Sequence, residues 1–199
     1  MQIVPFNLPF WEPDYFALVN LLAFAAFYLW AARRATRITG HPWSWLKTIS
    51  FLLAILIMLL TYLGPFTAWS HDAFWPHMMQ HIAIMMVAGP LIVLSSPITL
   101  TLINLGPQGR RNLVKVLRSR PTNVITNPYF GWFFFAFVLL GAHMIFVMEW
   151  VLNDHDAMSF IERPIFLAAA LIFYYPLIGS DLIAKRPAPS VRLVSLGLM

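Results

Sequence analysis

Five long apolar blocks, each close to the roughly 20 residues that an α-helix needs to cross a bilayer, constrain this chain more than any other feature. They run over about 15–32, 45–66, 76–96, 129–152 and 160–179, with short polar stretches between them. Backbone in lipid must satisfy its own hydrogen bonds, so this pattern predicts an all-α fold: a polytopic transmembrane helical bundle of about five spanning helices, forming a single domain over 1–199. The composition agrees, since only 11% of residues are charged where soluble domains carry about a quarter. Gly89-Pro90 and Pro97 predict a kink in the third block, or a helix followed by a short interfacial segment. The apolar tail from Val191 to Met199 is too short to cross and reads as an interfacial foot or the opening of a sixth helix. Met1 to Phe10 has no basic segment before an apolar run and is not expected to be a secretory signal.

Positive charge sets the expected orientation. Arg33, Arg34, Arg37 and Lys47 follow the first block; Arg110, Arg111, Lys115, Arg118 and Arg120 follow the third; Lys185, Arg186 and Arg192 follow the fifth. With alternating helices these fall on one side, which the positive-inside rule makes cytoplasmic, and only Arg163 lies opposite. The amino terminus, the turn near Asp72 and the turn Asn153 to Ser159 are then outside, as expected for a multi-pass protein of a bacterial plasma membrane. The net charge of +5 sits in these loops rather than on one soluble face, so no nucleic-acid partner is expected. Arg110 to Arg120, with Leu113, Val116 and Leu117 between the charges, reads as a basic amphipathic stretch lying on membrane lipid.

With no cysteine in the chain, a soft-metal site must be built from Met and His. Five of the six histidines, His71, His77, His81, His143 and His155, fall on or near the expected outer side. His77 and His81 are four apart and share one helix face, flanked by Met78. Polar residues within a span are functional candidates by default, which raises His81 and His143, expected to meet across a helix interface. The candidate metal ligands are therefore His77, His81, His143, Met78 and Met144, with Glu149, Glu162 and His71 placed to support them. Imidazole with thioether suits copper. The competing structural reading is that Met fills gaps between helices and His hydrogen-bonds a neighbouring helix, while Glu162 beside Arg163 forms only an ion pair. Asp181 is expected to mark a helix end. No GxSxG or HExxH occurs, Gly106-Pro107-Gln108-Gly109 lacks the features of a phosphate loop, and no enzyme activity is expected.

The run His77-Met78-Met79-Gln80-His81, followed by Met85-Met86-Val87-Ala88-Gly89-Pro90-Leu91 and then Ser96-Pro97, resembles the signature of the CtaG-type cytochrome c oxidase assembly factors of bacterial membranes. Asn127-Pro128, His143 and Phe173-Tyr174-Tyr175-Pro176-Leu177 extend the resemblance over about Tyr62 to Asp181. It implies a multi-pass factor that matures the copper-containing oxidase, with oxidase subunits as partners and copper handled on the outer side. Two departures stand out: Glu162 is followed by Arg163 and has no preceding histidine nearer than His155, and family members are usually longer. Two alternatives remain open, a b-type haem protein using His81 and His143 as axial ligands, and an accessory oxidase subunit that binds no metal.

Overall fold

A computed structural model describes residues 14–70, 74–153, 158–181 and 187–197, and every regular element among them is helical. The first span is α1 (Tyr15–Thr39), opened by Asp14, whose side chain accepts from the Ala17 N–H at 2.9 Å, and closed by Gly40 at φ 71°. That left-handed conformation is the one glycine adopts without cost, so the chain turns sharply into the next span. The second comprises α2 (Trp45–Leu63) and α3 (Pro65–Ser70).

The third span is built from α4 (Phe74–Ile82), a π-helical segment (Ala83–Ala88), α5 (Gly89–Leu94) and, after a turn, α6 (Pro97–Asn104). Of the two expected breaking points, the one before Pro97 is a break, at Ser95-Ser96 where Ser96 takes φ 54°, whereas at Gly89-Pro90 the helical backbone runs on into α5. Two short helices follow, α7 (Pro107–Leu117) and α8 (Arg120–Ile125). Next comes α9 (Pro128–Ala142), whose N-cap Asn127 accepts from the Tyr129 N–H at 2.9 Å and whose first residue is proline.

Where hydropathy predicts one continuous fourth helix, the chain breaks at His143-Met144 and resumes as α10 (Ile145–Asn153). The last turn of α9 tightens there, with the His143 N–H donating to Leu140 O at 3.2 Å. A π-helical segment (Met158–Glu162) leads into α11 (Arg163–Ile178), and α12 (Pro189–Gly197) gives the apolar tail helical form.

Among the described residues, four helices are long and apolar enough to cross a membrane: Tyr15–Thr39, Trp45–Trp69, Phe74–Asn104 and Phe160–Ile178. The fourth expected span, 129–152, corresponds to the shorter apolar helix α9 and its continuation α10. Large apolar side chains cover the outside, among them Phe27, Phe133, Phe137 and Leu140, each more than 60% exposed. Such a surface suits lipid rather than water.

The centre of the bundle is α11 with the π-helical segment and α5 of the third span: Phe166, Ala169, Ala170, Phe173 and Leu177 are fully buried against Ile84, Met85, Ala88 and Val93. Close approach depends on small residues, as between membrane helices generally. A Cβ on Gly89 would come within 2.7 Å of the Ala170 Cβ, and one on Gly131 within 3.1 Å of Ile172 O.

At the end of α11 the buried Asp181 accepts from the N–H groups of Ile98 (3.1 Å) and Thr99 (2.8 Å) and from the Tyr175 hydroxyl (2.6 Å). It thus marks a helix end as expected, and also satisfies the first N–H groups of α6 across the bundle. The Tyr28 hydroxyl donates to Ser95 O at 2.9 Å, tying α1 to the same corner.

Candidate functional site

Helix α4 sets two imidazoles on one face. The Nε2 atoms of His77 and His81 lie 2.9 Å apart, so one carries the shared proton and the other accepts it. Glu162, the last residue of the second π-helical segment, brings Oε1 to 3.6 Å from His77 Nε2 and 3.7 Å from His81 Nε2. One ligand atom from each of the three residues falls within 4.8 Å of the others, and all three side chains are buried. These three residue types could together hold a metal ion.

Both π-helical segments touch this site, one starting two residues after His81 and one ending at Glu162. An inserted residue in a helical turn rotates the flanking side chains relative to a regular helix, and such turns are frequent at functional sites. The His81 ring is held flat on Phe166, with centroids 4.1 Å apart and planes 9° from parallel.

His143, at the break between α9 and α10, joins from the other side. Its ring centroid lies 5.7 Å from that of His81, and its Nε2 lies 2.9 Å from Met78 Sδ. Its Nδ1 faces Leu139 O one turn back.

A polar layer backs the cluster. Gln80 donates to Thr67 Oγ1 at 2.9 Å and to Thr61 O at 3.3 Å, and the Thr67 hydroxyl donates to Thr61 O at 2.7 Å. Arg163 donates to Asp14 Oδ2 at 3.0 Å and to Thr67 Oγ1 at 3.4 Å, with its guanidinium 4.6 Å from the Tyr62 ring centroid. This buried cation joins the start of α1 to the start of α11.

A model of the family described as the cytochrome c oxidase caa3 assembly factor (Caa3_CtaG) matches residues 26–199. The chain belongs to this family. No curated protein and no solved structure matches it significantly. The match takes in every residue of the His77, His81, Glu162 and His143 cluster, whereas Asp14, the partner of Arg163, precedes it.

Of the residues that sequence singled out in this assembly factor, the fold brings together His77, His81, His143, Met78 and Glu162. Met144 is 56% exposed and makes no recorded contact with the histidines; it lines an apolar cleft of about 310 Å³ between α9, α10 and α11 that Glu162 also borders. Glu149 is exposed on α10. His71 and His155 lie outside the described residues.

Glu162 faces the two histidines while Arg163 reaches Asp14, so the charge interaction between these sequence neighbours is joined by a separate contact for each. Adjacent helical residues point in different directions, which is the signal that distinguishes these contacts. Gln80 and Thr67 were not legible as a pair, since the two lie on separate helices.

Proposed function

We propose that this assembly factor binds copper in the buried His77, His81 and Glu162 site, on the non-cytoplasmic side, and passes it to cytochrome c oxidase subunits during maturation. The observation that carries the reading is the convergence of these three side chains in the interior of an apolar bundle. Ionisable groups within a span are costly and usually functional, and imidazole is a good ligand for copper.

The proposed side follows from the loops. The third span runs 31 residues, about 46 Å, from Phe74 beside the site to Asn104, just before the basic helix α7. The site and the basic loop therefore occupy opposite ends of one span, and the positive-inside rule assigns α7 to the cytoplasm.

Haem ligation by His81 and His143 is less well supported. The Nε2 of His81 faces His77, and the His81 and His143 ring centroids are 5.7 Å apart, closer than two axial ligands on opposite sides of one haem iron would stand.

The test is oxidase activity in cells grown at limiting copper. His77→Ala, His81→Ala and Glu162→Gln are expected to lower it while the variants remain at normal levels in the membrane, and added copper is expected to restore part of the loss. Full activity in the His77→Ala/His81→Ala double variant at limiting copper would instead favour an accessory role without metal.

A further inference from the structure

The cluster is not uniform in chemistry or in exposure. Its inner part, His77, His81 and Glu162, is buried and combines imidazole with a hard carboxylate. Its rim is a different pair, Met78 Sδ and His143 Nε2, 2.9 Å apart and contributed by separate helices, and both residues are only half-buried. The His143 and His81 rings are 5.7 Å between centroids, so rim and interior adjoin without sharing a donor contact. Thioether sulfur favours monovalent copper over divalent ions, and imidazole accepts either. Methionine is also flexible enough to open a close donor pair around an ion.

Resting on the copper reading above, we propose that Met78 and His143 form a distinct capture subsite for Cu(I), from which the ion moves to His81 and His77. The copper stays monovalent throughout. Each bond to sulfur or nitrogen that breaks at the rim is replaced by a bond to an imidazole nitrogen of the inner pair, and no electron is gained or lost. The ring that carries the shared proton on Nε2 changes tautomer, moving that proton to its own Nδ1, so that both facing nitrogens present lone pairs to the ion and no net proton is released.

The order rim first, interior second, follows from exposure. Met78 and His143 are half-buried where His77, His81 and Glu162 are buried, and the ring beside His143, that of Phe74 at 6.3 Å, is 54% exposed.

The experiment uses the full chain purified in detergent and follows the rate at which it withdraws Cu(I) from a chromophoric chelator under reducing, anaerobic conditions. Met78→Leu keeps the volume and removes the donor, and is expected to slow uptake about tenfold or more while the final copper content is retained. Met78→Cys restores a soft donor and is expected to keep uptake fast. Ag(I), a redox-inert soft ion, is expected to follow the same pattern. Uptake by Met78→Leu at the wild-type rate overturns the capture subsite alone, as does equal slowing in Met78→Cys, which would report packing. A wild-type protein that takes up no Cu(I) overturns the copper reading itself.

Discussion

Arg163 shows how much a single side chain carries here. Its guanidinium, 4% exposed as a residue, bonds Asp14 and Thr67 and lies over the Tyr62 ring, so it ties α1, α2, α3 and α11 together around the site. Removing one member of a buried ion pair strands the other and typically costs about 3–5 kcal/mol. Arg163→Met, which keeps much of the volume, is therefore expected to lower the midpoint of thermal unfolding in detergent clearly. Asp14→Asn/Arg163→Met, which removes both charges, is expected to recover part of that loss. An unchanged midpoint in the single variant would show that the pair does not hold these helices.

The residue types of the site were legible in sequence because His77 and His81 are one turn apart on one helix, a local relation. Glu162 was legible only as a supporting residue; its approach to within 3.7 Å of both histidines depends on how α11 packs against the π-helical segment and α5 of the third span.

At the scale of elements, the spans were legible for a plain physical reason: each must be apolar over a fixed length, and that length is written in the chain. The π-helical segments and the break at His143-Met144 were not. They arise from packing rather than local preference, and no proline stands at the break to announce it. Packing also explains why α5 and α11 come so near each other. The Cβ of an alanine at position 89 would sit 2.7 Å from the Ala170 Cβ, closer than two carbon atoms tolerate.

Gly89→Ala is expected to destabilise the protein by about 1–3 kcal/mol through this overlap, read as a lower unfolding midpoint in detergent. Ala170→Gly in the same chain removes the opposing methyl and is expected to restore part of the loss, a coupling that a double-mutant cycle measures. Additive effects of the two substitutions would mean that the helices do not meet at this point.

The molecule as a whole is a bundle with the His77, His81 and Glu162 cluster towards one end and a basic helix at the other. Helix α7 exposes Arg110, Arg111, Lys115 and Arg118, with Val114 and Lys115 lining an open cleft of about 700 Å³ beside them. Basic charges grouped in this way attract anionic lipid headgroups in general. Because the chain has no cysteine, single introduced cysteines report sidedness without background. Asp72→Cys is expected to react with a membrane-impermeant thiol reagent in intact cells and Arg110→Cys to stay unlabelled, and the reverse pattern would turn the site towards the cytoplasm.

The most direct measurement is the copper retained by detergent-purified protein after dialysis, compared between wild type and His77→Ala/His81→Ala. The predicted result is copper retained by the wild type and lost from the double variant, with both proteins equally folded. Equal copper in the two, or none in the wild type after loading, would contradict a copper site built from His77, His81 and Glu162.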